Sequence, residues 1–177
     1  IPTQNEKQVY RSSYVRGQKI EGRVVSIEVR KATIFDVPDM VAVGKMMHEE
    51  TSFSDVEWSP NRAQQFIDLS VRNESFCSFV AETDGKIMGL MVAEVVPYFF
   101  SNELRVCDHL WYVTKEYRGS SVGVKLLNKL LQFARDKGVK TVYSGVSTAL
   151  DAEQTGALLE NMGYQHIGGL YKYKVQD

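Results

Sequence analysis

The sequence predicts an α/β (α+β) protein with a mixed, mostly antiparallel central sheet and helices on both faces. Three observations indicate this fold class. Segments in which apolar and polar residues alternate, as is typical of strands, are separated by segments of helical periodicity. The pair Asp84-Gly85 lies between two apolar runs, which is a strong signal of a β-hairpin. A further apolar run leads through small residues directly into a leucine-rich helix.

The chain begins with a polar stretch and one predicted strand. Residues 1–22 show no sustained periodicity, so we interpret them as an extension outside a single domain that spans residues 23–177. Within residues 23–31, Val25 and Ile27 belong to an alternation of apolar and polar residues, which predicts the first strand.

Two helices are predicted after this strand. Asp36 and Ser59 are suitable N-cap residues, and Pro38 and Pro60 fit the first turns of the helices that follow them. Apolar residues then recur at helical spacing, and the second helix is expected to end near Asn73.

Strands and helices alternate in the rest of the chain. Four further strands are predicted on apolar runs bounded by turn residues: residues 76–82, 87–96, 104–113 and 139–146. A helix with a leucine stripe precedes the last of these strands and ends at Gly138. A final helix over residues 151–162 ends at Gly163, and residues 164–175 are predicted to form a strand pair.

Composition and charge limit the classes of function. A chain of 177 residues with 44% hydrophobic residues is long enough for one domain with its own core. The formal net charge of -1 argues against a nucleic-acid binder, whose affinity depends on massed Lys and Arg. No apolar run approaches the roughly 20 residues that cross a bilayer, so we expect a soluble, cytoplasmic protein with no membrane partner. Cys77 and Cys107 are too few for a disulfide scaffold or a zinc site, and we expect no metal.

The junction between the strand at residues 104–113 and the next helix is the most informative motif. Residues 113–123 read Val-Thr-Lys-Glu-Tyr-Arg-Gly-Ser-Ser-Val-Gly. Small residues allow a tight turn, and the first turn of the helix has unpaired N–H groups at the positive end of its dipole. The junction therefore predicts an anion site. It has neither the Gly-Lys-Ser/Thr ending of a Walker loop nor the three spaced glycines of a dinucleotide fingerprint.

This junction resembles the acyl-CoA loop of the GNAT acetyltransferase superfamily, whose usual form is Arg/Gln-x-x-Gly-x-Gly/Ala after Val-x-Pro-Glu-Tyr. Two positions depart from that pattern, because Lys115 replaces the Pro and Ser121 replaces the first glycine. Residues 156–164, which read Gly-Ala-Leu-Leu-Glu-Asn-Met-Gly-Tyr, are also similar to the end of the last helix in that family. The resemblance covers about residues 24–175.

The resemblance implies a sheet that splays after the fourth strand, and acetyl-CoA as the cosubstrate. It implies that the backbone of residues 111–113 pairs with the pantetheine arm and that loop N–H groups bind the pyrophosphate, with added positive charge from Arg118 and Lys125. Ser121 keeps an N–H donor but limits positive-φ geometry. The predicted acetyl-CoA residues are Trp111, Tyr112, Val113, Arg118, Gly119, Ser120, Ser121, Val122, Gly123 and Val124.

Acetyl transfer to an amine requires a base, which the resemblance places on the fourth strand. In a regular strand Cys107, His109 and Trp111 share one face, and His109 is the first candidate because an imidazole has an ordinary pKa of about 6.5. A structural, hydrogen-bonded His109 is the alternative. Asp108 and Glu103 are further candidates, although Asp108 faces the other way unless a β-bulge redirects it. An acyl-enzyme on Cys107 is a weaker alternative.

The thiolate that leaves acetyl-CoA needs a proton donor. Many relatives use a tyrosine in the last helix, but Leu159 stands at that position, so the acid is unassigned. Tyr164, Tyr143, Ser147 or solvent are the alternatives.

The amine acceptor is expected between the connection of the first two helices and the loop after the third strand. Acidic residues crowd the first of these and aromatic residues line the second, which indicates a cationic amine unless the acids are only a solvated connector. The predicted substrate residues are Glu49, Glu50, Asp55, Glu57, Tyr98 and Phe99. A peptide N-terminus, a polyamine, an aminoglycoside or an arylalkylamine all fit this description.

The leading hypothesis is a CoA-dependent N-acetyltransferase that transfers acetyl directly to a primary amine of a small molecule or peptide in a ternary complex. The alternative is a non-catalytic CoA-binding or interaction protein that keeps the fold. A third hypothesis is an acyltransferase for a longer acyl-CoA. Analogy with the family also raises a homodimer as the assembly.

Overall fold

The computed structural model describes residues 18–20 and 23–175. Two short strands, Gln18–Ile20 (β1) and Arg23–Val25 (β2), pair antiparallel in a small sheet of their own. The predicted first strand is therefore divided, because only its second part, Glu28–Lys31 (β3), joins the central sheet. The rest of the predicted N-terminal extension lies outside the described residues.

The central sheet contains four more strands: Phe76–Thr83 (β4), Lys86–Tyr98 (β5), Ser101–Val113 (β6) and Thr141–Tyr143 (β7). Their order is β3-β4-β5-β6-β7, and every neighbouring pair is antiparallel except β6 and β7. Asp84 and Gly85 turn β4 into β5 with φ values of 50° and 73°, as the predicted hairpin requires. The mixed, mostly antiparallel sheet is confirmed.

The sheet splays open beyond the middle of β6, as the family resemblance implies. β6 is 13 residues long, but β7 pairs with residues 105–107 of it alone. The predicted fifth strand over residues 139–146 is thus shortened to three residues. Residues 110–113 of β6 pair with β5 on one edge, and within the described part of the chain their other edge has no strand partner.

Four helices among the described residues cover the two faces of the sheet: Val37–Glu50 (α1), Pro60–Arg72 (α2), Val122–Asp136 (α3) and Ala152–Asn161 (α4). Buried side chains of α1 and α2 pack with Leu90 and Val92 of β5, whereas those of α3 pack with Met91 and Ala93 of the same strand. β5 is therefore buried on both faces, which explains its nearly continuous apolar sequence. Among the residues described, no helix combines the length and apolar character needed to span a membrane.

The predicted strand pair at residues 164–175 is not formed. The chain turns at Gly163, where φ is 91°, and residues 164–175 have no regular structure. The last strand of the sheet, β7, is three residues long and leaves little edge for further strands to extend. The segment is held by side chains instead, because Lys172 and Lys174 both bind the carboxylate of Asp55.

Asp36 is at the predicted N-cap position of α1, but its side chain makes no capping hydrogen bond to that helix. Its carboxylate accepts hydrogen bonds from Arg30 at 2.7 and 2.8 Å and from the backbone N–H of Thr33 at 2.7 Å. Arg30 also donates to Glu82 of β4 at 2.6 Å, so the network joins β3, β4 and the start of α1. The hydrogen bonds from Arg30 hold the pKa of Asp36 well below its ordinary value.

We expect Asp36→Asn to lower the free energy of unfolding by about 2 kcal/mol at pH 7, because it removes the anion that Arg30 binds. A carboxyl whose pKa is lower in the folded state stabilises the fold above its ordinary pKa of about 4, and this contribution is lost as the pH falls. Urea unfolding at pH 7 and pH 3 checks this prediction. An effect of the substitution that is as large at pH 3 as at pH 7 contradicts it.

Candidate active site

A cleft of about 580 Å³ lies where the sheet opens. Its walls are residues 108–113 of β6, the loop between β6 and α3, the segment after β7, and α4. Met47 of α1 and Phe53 of the connection to α2 close one side. The volume lies within the range of about 300 to 1,000 Å³ that is usual for small-molecule sites.

A β-bulge in β6 separates the two predicted catalytic residues. Val92 of β5 pairs with Leu110 and the next residue, Ala93, pairs with Asp108, so His109 is an extra residue in β6. Such a bulge interrupts the alternation of side chains between the two faces of a strand. The prediction that His109 and Trp111 share one face is therefore wrong.

The bulge places His109 among aromatic side chains on the α1 and α2 face. Its ring stacks on Phe76 at 5.7 Å between centroids and meets the edge of Phe66 at 5.6 Å, whereas Trp111 packs against the α3 face. The Nε2 atom of His109 lies 2.9 Å from the carboxylate of Glu94 on β5. His109 still contributes to the lining of the cleft, but this nitrogen already has a partner.

Asp108 lies at the other side of the bulge, where the sheet begins to open. Its carboxylate lines the cleft and accepts a hydrogen bond of 3.2 Å from the backbone N–H of Gly145. Burial raises the pKa of Asp108 to about 6. A carboxylate that exchanges its proton near neutral pH is suited to general-base catalysis.

The other candidate bases and nucleophiles lie elsewhere. Glu103 is exposed near the start of β6 and is not among the residues that line the cleft. Cys107 is also outside the lining, and burial raises the pKa of its thiol, which disfavours the nucleophilic thiolate. The described residues contain no group of three or more His, Cys, Asp and Glu side chains that could hold a metal ion.

The loop before α3 turns at Gly119, where φ is 74°, while Ser121 has an ordinary φ of -75°. Ser121 therefore meets none of the positive-φ restriction expected at this position. The backbone N–H of Val122 donates to the Ser120 hydroxyl at 3.3 Å. The N–H groups of Gly123 and Val124 belong to the first turn of α3, where a helix offers them no acceptor.

Trp111 connects this loop with the edge of β6. A Cβ atom on Gly123 would lie 3.5 Å from Cζ2 of the indole, so the ring packs closely on the first turn of α3. The indole N–H is buried and has no hydrogen-bond partner among the described residues. Because buried donors are nearly always paired, this N–H suits a site that receives a polar ligand.

The side chains of the remaining predicted acetyl-CoA residues differ in their burial and in their partners. The side chain of Tyr112 is buried on the α1 and α2 face, and the side chain of Val122, the first residue of α3, is buried against the other face of the sheet. The guanidinium of Arg118 lines the cleft but is bound by Glu50. Lys125 lies farther away, and its Nζ donates to a main-chain carbonyl just before β3 at 3.0 Å.

The predicted acidic substrate residues are mostly paired with bases. Glu49 pairs with Lys45 at 3.5 Å, one turn earlier on α1. Asp55 is bound by two lysines, and Glu57 is exposed. None of the three belongs to the lining of the cleft as the described residues define it.

The predicted aromatic substrate residues lie at the opposite end of β6 from the cleft. The hydroxyl of Tyr98 is 3.3 Å from that of Tyr143, and the guanidinium of Arg105 lies over both rings at 4.8 and 5.3 Å. Phe99 is 97% exposed at the turn between β5 and β6. The structure therefore does not bring these residues together with Asp108.

Residues 43–164 match the family model described as the acetyltransferase (GNAT) family. The chain belongs to this family. It is 35% identical over 104 residues to N-acetyltransferase 8 of Mus musculus, and this alignment covers 56% of the chain and 42% of the relative. It is 30% identical over 92 residues to N-acetyltransferase 8 of Homo sapiens, which covers 52% of the chain and 40% of the relative. The matched region thus spans about two fifths of these curated relatives.

Solved structures of acetyltransferases share the fold. An aminoglycoside N-acetyltransferase in complex with CoA superimposes with a TM-score of 0.71 at 13% identity, covering 88% of the chain and 98% of that protein. A predicted acetyltransferase from Clostridium acetobutylicum with acetyl-CoA gives a TM-score of 0.70 at 13% identity, covering 84% and 96%. The open sheet with helices on both faces is thus a GNAT fold.

The position at which GNAT relatives often have a tyrosine belongs to the core in this chain. Leu159 is buried and packs with α3. Among the alternative acids, Ser147 lines the cleft. Tyr164 lies within 3.5 Å of the Ser144 hydroxyl, and burial raises its pKa.

Several residues that line the cleft of this GNAT domain are not among the predicted site residues. One face of α4 and the residue before it line the cleft: Asp151, Gln154, Thr155 and Leu158. The i, i+3, i+4, i+7 spacing is a helical signal that could have identified this face. Ala149 and Asp151, just before α4, have positive φ values of 59° and 46°. Because neither residue is a glycine or part of a turn motif, the sequence does not predict this backbone conformation.

Proposed function

We propose that the protein transfers the acetyl group of acetyl-CoA directly to a primary amine that binds in the same cleft. One observation supports this most strongly: the strand-free edge of β6 and the first turn of α3 border the same cleft, with Asp108 beside them. A free strand edge can pair with the amides of an extended arm, and a helix N-terminus binds phosphate.

The residues present suit acetyl-CoA as the donor. Gly119 and Gly123 present no side chain to the cleft, and the space around Gly119 is open, because a Cβ there would meet nothing within 4 Å. The buried indole N–H of Trp111 lies next to that loop and has no hydrogen-bond partner in the described part of the chain. Main-chain N–H groups on the edge of β6 could stabilise the negative charge that develops on the carbonyl oxygen.

Asp108 is the general base in this proposal. A primary amine is mostly protonated at neutral pH and must lose a proton before it can attack the thioester. The carboxylate of Asp108, with a pKa of about 6, is charged at pH 7 and can take that proton directly or through one water. His109 lies one residue away and holds the bulge through Glu94 and the two phenylalanines, so we assign it a positioning role.

The acceptor proposed here is an amine on an apolar body, in a small molecule or a peptide. Asp55 is paired with lysines and Glu50 with Arg118, so neither supplies free negative charge at the cleft. Met47, Phe53 and Leu150 provide an apolar wall. The aminoglycoside acetyltransferases among the structural neighbours support a small-molecule amine in general terms.

Calorimetric titration with acetyl-CoA, followed by thiol release in the presence of phenylethylamine, spermidine, an aminoglycoside or a short peptide, tests this function. We expect micromolar binding and release stimulated most by phenylethylamine. Preference for spermidine would overturn the acceptor class, and an absence of acetyl-CoA binding would overturn the function. Binding of acetyl-CoA without release of thiol would favour a non-catalytic CoA-binding protein. The buried Leu159, which stands where many relatives have a tyrosine, is consistent with that alternative.

A further inference from the structure

Three side chains meet where the C-terminal end of α1 touches β6 and the loop before α3. Glu50, the last residue of α1, accepts hydrogen bonds from the hydroxyl of Tyr112 and from the guanidinium of Arg118. Nη2 of Arg118 also lies 3.3 Å from the Tyr112 hydroxyl. We call this group the Glu50 cluster, and it joins residues that are 62 and 68 positions apart in sequence.

The Glu50 cluster is partly shielded from water and is anchored in the core. The side chains of Arg118 and Glu50 are 22% and 28% exposed, and Tyr112 as a whole is 5% exposed. Burial opposes ionisation of Glu50, but the hydrogen bonds from Arg118 and Tyr112 outweigh it and lower the pKa of Glu50. The cluster therefore contains a charged pair at neutral pH. Shielded charge pairs with good geometry fix the positions of the groups that form them.

Arg118 also fixes the end of the strand whose free edge borders the cleft. Its Nε donates to the carbonyl oxygen of Val113 at 3.1 Å. Nε thus holds the last residue of β6, and Nη2 binds Glu50 and Tyr112. Because the next residue is Gly119, at a positive φ, the position of Arg118 sets the path of the loop.

We propose that Glu50 is a positioning residue for acetyl-CoA, acting through Arg118. By fixing the guanidinium, Glu50 holds the end of β6 and the start of the loop in one arrangement, so that their main-chain groups are in place before the ligand arrives. This inference rests on the proposed acetyl-CoA site. It assigns Glu50 to the donor side of the cleft, whereas its acidic neighbours in sequence suggest a role in attracting the amine.

A rival arrangement makes the opposite prediction. If Arg118 binds the pyrophosphate directly, Glu50 competes with the phosphate for the guanidinium, and removing the charge of Glu50 should tighten acetyl-CoA binding. If Glu50 positions Arg118, removing its charge should weaken binding. The sign of one measured change therefore separates the two.

The test compares Glu50→Gln with Glu49→Gln by calorimetric titration with acetyl-CoA. For Glu50→Gln we expect a dissociation constant about tenfold higher, the size expected for a charge-assisted hydrogen bond. Glu49 is the matched control, because it precedes Glu50 on α1 and pairs with Lys45 alone among the described bases. Glu49→Gln should leave the dissociation constant unchanged. Tighter binding by Glu50→Gln, or equal effects of the two substitutions, overturns the proposal.

A double-mutant cycle tests whether Glu50 acts through Arg118. Glu50→Ala should raise the dissociation constant in the wild-type background and have little further effect beside Arg118→Met. A full effect in both backgrounds contradicts the proposal. Thermal unfolding of each variant shows whether it is folded. In steady-state assays of the Glu50 variants, KM for acetyl-CoA should rise while kcat and KM for the amine remain unchanged. If wild-type protein itself binds no acetyl-CoA, the proposed function fails rather than the role of Glu50.

Discussion

Gly123→Glu is expected to abolish acetyl-CoA binding. The substitution adds a carboxylate to the first turn of α3, where the helix N–H groups and the positive end of the dipole would otherwise receive the pyrophosphate. The new charge repels the phosphates and can occupy the same N–H donors. We expect the dissociation constant to rise by about a hundredfold or more, since several charge-assisted hydrogen bonds are affected.

Gly123→Ala is the matched control for this prediction. A Cβ at this position makes ordinary contacts, at 3.5 Å from Trp111 and 3.9 Å from Val113, so the fold should accept a methyl group. Alanine also suits a helix better than glycine does. Calorimetry should show near-normal binding for Gly123→Ala and none for Gly123→Glu. Undiminished binding by Gly123→Glu in a protein that unfolds normally would refute the assignment of the loop.

Asp108→Asn is expected to lower kcat by about 10² to 10⁴, the usual contribution of a general base. An asparagine oxygen can still accept the hydrogen bond from the N–H of Gly145, so the geometry should survive. Since burial raises the pKa of Asp108 to about 6, wild-type activity should increase with pH through this value as the carboxylate loses its proton. The pH–rate profile of Asp108→Asn should lack this rise in activity, the acidic limb of the profile. Rates of thiol release between pH 5 and 8 measure both effects.

His109→Gln separates the two candidates for the base. Glutamine keeps a hydrogen-bonding group near Glu94 but cannot take up a proton, so a positioning role predicts a modest fall in kcat with the acidic limb still present. If the limb disappears in His109→Gln and persists in Asp108→Asn, His109 is the base and the assignment of Asp108 is wrong.

Local signals in the sequence were sufficient to predict much of the fold and the turn between β6 and α3. The loop at Gly119 and Gly123 combines a strand, small residues and a helix start within about a dozen consecutive positions, so its structure follows from its neighbours in sequence. The Asp84-Gly85 hairpin and the Ser59 cap are equally local, and both are formed. These elements need no distant partner to be specified.

Features that depend on distant residues could not be predicted in the same way. The bulge at His109 is a shift in the register between β5 and β6. No residue pattern within β6 predicts it. Two of the acidic residues predicted to bind a cationic amine are instead paired with bases far along the chain. Glu50 pairs with Arg118, and Asp55 pairs with Lys172. An acidic side chain that is paired in this way has a structural role and is not available to a ligand. The periodicity of the sequence does not indicate such ion pairs.

The wall formed by the connection between α1 and α2 is assembled from three distant parts of the chain. The backbone N–H of Ser52 donates to the carbonyl of Thr148 at 3.0 Å, and Lys172 donates to the carbonyl of Ser52 at 2.9 Å. The wall formed by the end of β6, the loop after it and the start of α3, by contrast, is one continuous segment of the chain. A substitution in any of the three distant parts can therefore reshape the first wall without any change in the sequence between β6 and α3.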